Sequence, residues 1–336
     1  MKQALYIALA LLLLSACRKD PALVTDEAAT PFPLQLPVGL PFPPVNEDNP
    51  LTLASVKLGK ALFFDPRLSR DGTISCASCH HPDRAFSDTV AVSTGIEGRL
   101  GVRNAPTLAN VAYLSTFFRD GGVPTLEQQV IAPVQDPLEM DHQIQEAAAA
   151  LRAVEPYASL SMEVYGKPMD AWVVTRAIAN YERTLISGWS RFDRFRQGDA
   201  SALTPSEQNG WELFSSEALN CTACHNGFDL TDGSFRNIGQ YAVYADPGRG
   251  RITFLPEDEG KFKVPTLRNV ALTAPYMHDG AMATLEEVVD HFASGGMEHP
   301  NKSPEMTNFA LTAQERIDLI AFLHTLNDDR PLDQVP

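Results

Sequence analysis

Positive charge is in short supply in this 336-residue sequence. Lys and Arg number 27 against 42 Asp and Glu, for a formal net charge of −15. So acidic a chain repels a phosphate backbone, which excludes nucleic acid as an expected partner. Long apolar runs are missing as well. Leu5–Leu14 is too short to span a bilayer, and no other stretch reaches the ~18 apolar residues a membrane helix needs. Alternating strand patterns are nearly absent, and cysteine is scarce, with five in all. What is present is 44% hydrophobic residues against 21% charged. That balance excludes wholesale disorder and supports a packed, mainly α interior, over a length that fits two domains.

The first seventeen residues read MKQALYIALALLLLSAC. A charged start at Lys2 followed by a short apolar run is the layout of a secretory signal. Its close, Leu14-Ser15-Ala16-Cys17, resembles the lipobox of bacterial lipoproteins. The resemblance implies removal of residues 1–16, acylation of Cys17, and a mature chain tethered by lipid on the periplasmic side of the envelope. Residues 17–50 are rich in proline, which blocks helices and favours extended chain. They are read as a linker, with Phe32, Leu34, Leu36 and Phe42 along the globule's surface.

The rest is written twice. Residues 106–130 (PTLANVAYLSTFFRDGGVPTLEQQV) and 265–289 (PTLRNVALTAPYMHDGAMATLEEVV) align without a gap and agree at 12 of 25 positions. Upstream of each lies a CxxCH string, Cys76-Ala-Ser-Cys79-His80 and Cys221-Thr-Ala-Cys224-His225, and before each string a short amphipathic segment. Three matches in the same order point to two domains of one design, residues 51–198 and 199–336. Thr204-Pro205-Ser206-Glu207 and Thr312-x-x-Glu315 are capping boxes that open helices. The second helix carries Ile317, Ile320, Leu323 and Leu326 on one face. Ala171–Phe195 is a further long helical pattern, with Val174, Ile178, Tyr181 and Leu185 as its apolar stripe.

A CxxCH string sets two thiols and an imidazole on one turn. It can serve zinc, a disulfide or a c-type haem. Zinc needs a fourth ligand for each string, and a thioredoxin-like CxxC wants a βαβ context that this sequence lacks. Two strings in a duplicated, exported chain favour two covalently bound haem c groups. Cys76, Cys79, Cys221 and Cys224 then form the attachments, and His80 and His225 are the proximal iron ligands. What fills the second face of each iron separates an electron carrier from a catalyst.

At this point the sequence resembles the bacterial di-haem cytochrome c peroxidases and the related MauG-type enzymes over about residues 51–330. The residues that carry it are Leu58-Gly-Lys-Ala-Leu-Phe-Phe-Asp-Pro-Arg-Leu-Ser69, Arg103-Asn-Ala-Pro-Thr107, Asp120-Gly121, Gln129, Pro133 and Glu139-Met140. In the second half they are Ala202-Leu-Thr-Pro-Ser-Glu-Gln208, Pro265-Thr-Leu-Arg-Asn-Val270 and His278-Asp-Gly280, with both CxxCH strings. The resemblance implies two cytochrome c-like domains. The first haem binds hydrogen peroxide, and the second passes it electrons from a small donor protein, a cytochrome c or a cupredoxin. It implies Glu139 and Gln129 as the catalytic residues over the first haem, since a carboxylate can move the proton that lets water leave. It also implies a calcium ion held by Asn104, Thr273 and Pro275, and a possible homodimer.

Three positions depart from the family. Where many of these peroxidases have a histidine that ligates the first iron, this chain has Ile96, so the first haem is expected open without reductive activation. The family's aromatic residue between the haems is Arg119 here, which could instead pair with a haem propionate. The usual distal ligand position of the second haem is Phe292, leaving His291 or Met297 as the nearest candidates. Two rival functions stay open. One is a MauG-like oxidase acting on a protein or small molecule. The other is a plain di-haem electron carrier, which needs neither an open face nor Glu139.

Overall fold

The computed structural model describes residues 27–335. The signal and Cys17 lie outside the described residues. Seven helices position the site: α1 (Leu53–Phe63), α2 (Leu126–Gln129), α3 (Ala171–Glu182), α4 (Arg191–Arg196), α5 (Pro205–Ser215), α6 (Leu285–Ser294) and α7 (Ala313–His324). Two short strands, β1 (Phe235–Arg236) and β2 (Phe262–Lys263), pair antiparallel. Among the described residues this is a mainly α fold in two halves, as expected.

Each half is built on one helix crossing in which a glycine lets backbones touch. In the N-terminal half α1 packs on α3, and a Cβ added to Gly59 would stand 1.9 Å from the Ala177 carbonyl oxygen. In the C-terminal half α5 packs on α7, and a Cβ on Gly210 would stand 2.0 Å from the Asp318 carbonyl oxygen. Around the first crossing Leu58, Leu62, Phe63, Phe86, Ile178 and Tyr181 form one core. Around the second, Phe192, Phe214, Leu319, Phe322 and Leu323 form another.

The internal repeat returns as repeated bonds. Asn110 and Asn269 both take left-handed backbone, at φ 57° and 60°. Their N–H groups donate to the carbonyls of Leu185 (2.8 Å) and Leu326 (2.9 Å). The hydroxyls of Thr107 and Thr266 donate to the carbonyls of Ala85 and Asp229, at 2.5 and 2.6 Å. Both capping boxes form, at Thr204 and Thr312.

Two expectations need correction. The long pattern Ala171–Phe195 is two helices, α3 and α4. Ser187 N–H donates to Asn110 Oδ1, Gly188 follows, and Ser190 caps a fresh start with Asp193. Of the face expected on α7, Leu323 and Leu326 are buried and Ile320 packs on the core, but Ile317 faces solvent, and Leu319 and Phe322 complete the buried stripe. The close approach at Gly210 turns α7 by its Asp318 side, and that fixes which face is covered. The linker's second half lies on the globule as expected, with Phe32 reaching into the first core and its N–H donating to Leu51 O. Leu332 and Val335, at the far end of the second domain's residues, also pack into the first core.

The halves are tied by named bonds. Asn104 N–H donates to His278 O (2.8 Å), and Asn110 Nδ2 donates to Asp229 Oδ1 (2.8 Å). Arg103 bridges Asp120 and Asp246, both at 2.6 Å.

Candidate haem-binding and catalytic site

Each CxxCH string winds as a single 3-10 turn, Cys76–Ser78 and Cys221–Ala223. The turn closes with His80 N–H on Cys76 O (3.0 Å) and His225 N–H on Cys221 O (2.9 Å). Left-handed residues just beyond, Phe86 and Leu230, aim a carbonyl back at each imidazole. His80 Nδ1 lies 2.8 Å from Phe86 O, and His225 Nδ1 lies 3.0 Å from Leu230 O. Burial lowers the pKa of both imidazoles. A neutral ring that donates from Nδ1 keeps its Nε2 lone pair free, the arrangement an iron ligand requires.

The thiols suit thioether attachment better than zinc. The four CxxCH cysteines are free of disulfides. Burial pushes Cys79 up to about 11 and Cys221 up to about 12, so as free groups they stay protonated thiols. Among the described residues no group of three or more His, Cys, Asp and Glu is placed to hold a metal ion.

Beside the second string opens a largely apolar cavity, with Cys221, Cys224 and His225 on its wall and Phe214, Val289 and Leu323 among its lining. Arg119 and Lys263 stand on the same wall. Burial lowers Arg119 to about 10 and Lys263 to about 8. Apolar walls with cations at the edge match a porphyrin, whose ring is apolar and whose propionates are anionic. The residues present therefore fit haem c at this string.

At the first string the structure brings in Glu139. It is solvent-accessible, yet it sits on a wall crowded by protein atoms, and that burial, aided by the charge of Asp136, raises its carboxyl to about 7. Its charge is felt, as the smallest contribution, at both Cys76 and Cys79. The backbone there is clamped: Ile96 N–H donates to Glu139 O at 2.8 Å, and Gly95 packs so closely that a Cβ would stand 2.1 Å from Leu138 O. Ile96 itself is fully buried. Gln129 closes α2, half-buried.

Two ligand expectations meet geometry that does not favour them. His291 Nε2 faces Ile238 O at 3.1 Å, Met297 is 54% exposed, and neither lines the cavity above His225. Phe292, Met277 and Met306 do line it. The reason is α6, which turns Phe292 inward and its neighbour His291 toward the chain beside it. Asn104, an expected calcium ligand, is engaged within the chain. Its Oδ1 accepts from Arg119 Nη2 (2.6 Å) and its carbonyl from Arg119 Nε (2.9 Å).

One group escaped the sequence reading. Glu182, on α3, is 5% exposed, its Oε2 has no hydrogen-bond partner, and burial raises it to about 8. Its charge is felt at Cys76. The only signal was a carboxylate set next to Tyr181 in an apolar stripe.

Known proteins give the same picture. The family model described as di-haem cytochrome c peroxidase matches residues 53–201, and the one for cytochrome c matches residues 207–327. The methylamine utilization protein MauG of Methylorubrum extorquens is 41% identical over 307 residues, covering 90% of this chain and 85% of that one. The cytochrome c551 peroxidase of Nitrosomonas europaea is 35% identical, covering 88% and 86%. A solved MauG-like protein associated with microbial copper homeostasis superposes with a TM-score of 0.85 at 36% identity, covering 90% and 97%. With two CxxCH turns, two preset imidazoles and relatives matched along nearly their whole length, this chain is an oxidoreductase of haem c that belongs to the family of di-haem cytochrome c peroxidases and MauG proteins.

Proposed function

We propose that the protein reduces hydrogen peroxide to water on the periplasmic side of the envelope, tethered there through Cys17. A small cytochrome c or cupredoxin supplies the electrons. The observation that carries this reading is Glu139, a carboxyl raised to about 7 beside the first attachment turn. Haem c, when bound, supplies the iron face that holds peroxide and the redox equivalents. Glu139 takes the proton from the near oxygen of H2O2 and returns it to the far oxygen, so that one water leaves. Two electrons and two protons in all convert H2O2 to two waters. A group titrating near neutral pH can act as base and then as acid without leaving its working range. Gln129 shapes the same pocket.

Ile96 offers no imidazole, so the oxidised protein is ready for peroxide without prior reduction. The same residue, with the MauG relative at 41% identity, favours a second reading: oxidation of a protein or small molecule by the same machinery. Mixing the fully oxidised holoprotein with H2O2 and reduced cytochrome c separates the two. Peroxide reduction gives two donors oxidised per H2O2 over many cycles with no lag. A long-lived oxidised protein that leaves the donor untouched favours the MauG-like reading. Two six-coordinate irons inert to peroxide would leave only the electron carrier.

A further inference from the structure

Family resemblance places a metal ion between the two halves, and in this chain its side-chain ligand, Asn104, does not fit one. Asn104 is buried at the boundary, where its N–H is spent on His278 O (2.8 Å) and its Nδ2 on Val90 O (3.2 Å). Both of its oxygens accept from one guanidinium, at 2.6 Å and 2.9 Å from Arg119 Nη2 and Nε. A dication on those oxygens would lie within hydrogen-bond reach of a fixed positive charge, in surroundings that screen like charges poorly. Calcium also favours carboxylates among its oxygen ligands. Arg119, Lys263, Phe262 and Pro275 line the same cavity as Asn104 and Thr273, so two cations stand where the dication would sit. Arg119 further ties the halves through its own carbonyl, which accepts from Lys263 N–H on β2 at 2.7 Å.

We propose that this chain holds no calcium ion at the boundary: the Arg119 guanidinium, from the same half as Asn104, takes both Asn104 oxygens in its place, and Asn104 then reaches the other half through its N–H to His278 O. A planar fork suits the task, since Nε and Nη2 reach the side-chain and main-chain oxygens of one residue at once. Unlike a bound ion it cannot be removed by a chelator, so the contact between the halves does not depend on the metal content of the surroundings. The proposal rests on the geometry at Asn104 and is independent of the reading of Glu139.

Elemental analysis of the purified holoprotein, before and after dialysis against EGTA, tests it. The expected result is well under one calcium per chain, with the haem absorbance spectrum and Tm unchanged by EGTA. About one calcium per chain, lost with a change in spectrum or Tm, would overturn the proposal and leave the proposed activity standing. Charge is then tested separately from bulk. Arg119→Lys, which keeps the charge but loses the two-pronged contact, should lower the Tm in part, and Arg119→Met, similar in bulk but neutral, should lower it further. A methionine variant as stable as wild type would equally sink the idea. Should the methionine variant fail to fold, the metal analysis of the wild-type protein decides alone.

Discussion

Glu139 owes its chemistry to where the chain puts it. Flanked by Leu138 and Met140, it reads in sequence as an ordinary carboxylate, visible only through family resemblance. The fold adds what the residue type lacks: the Gly95–Ile96 loop pins its backbone, and burial raises its carboxyl to about 7. The sign of the pH dependence follows. The proton is first taken from peroxide, so the ionised form is the active one, and kcat/KM for H2O2 should rise with pH through about 7 and fall away below it. Glu139→Gln removes the base and should lower kcat/KM by about 10²–10⁴-fold, with the inflection gone. Steady-state rates from about pH 5 to 9 check both; a variant that keeps the wild-type profile removes Glu139 from the acid–base role. Glu182 shows the opposite case. Nothing local marks it, because its burial beside Cys76 arises only when α1 covers α3.

At the scale of elements, capping boxes were legible because they are local. Thr204 and Thr312 meet Glu207 and Glu315 within one turn, and no other part of the chain is needed. The end of α3 was not legible, since the residues past Glu182 are held by Asn110, which lies far upstream in sequence. Nor was all of the buried face of α7, which depends on an approach to Gly210. That glycine gives a prediction with an informative sign. By helix propensity alone Gly210→Ala should stabilise α5 by about 1 kcal/mol. In the fold the new methyl would stand 2.0 Å from Asp318 O and 2.7 Å from Phe322 Cβ. Forcing the crossing apart costs about 1–3 kcal/mol, often more for backbone contacts. Packing should win, and thermal unfolding followed at the second haem should show a lower Tm. A raised Tm would mean that α5 and α7 do not rely on this approach.

For the whole molecule, the two-part plan was legible because it is written twice, and each copy folds around the same set of turns. What crosses between the copies was hidden, because such contacts join residues hundreds of positions apart and leave no periodic trace. The end of the described chain is the clearest instance. Leu332 and Val335 are buried in the N-terminal core. Lys60, on α1, donates to Val335 O at 2.6 Å and pairs with Asp333 at 3.0 Å, while Gln35 N–H donates to Gln334 Oε1 at 3.0 Å. The tail therefore stabilises the half it does not follow in sequence. Burying each apolar side chain contributes about 1.5–3 kcal/mol, and the partly exposed ion pair adds little once solvent screening is allowed for. Truncation before Leu332 should thus cost the N-terminal half roughly 3–6 kcal/mol. For a domain of this size that is a fall in Tm on the order of 10 °C. Calorimetry with absorbance at each haem assigns the transitions: the first-haem half should unfold earlier, with the second-haem half little changed. If the second-haem half weakens instead, the tail belongs to its own domain after all, and the halves are less interlocked than Leu332 and Val335 imply.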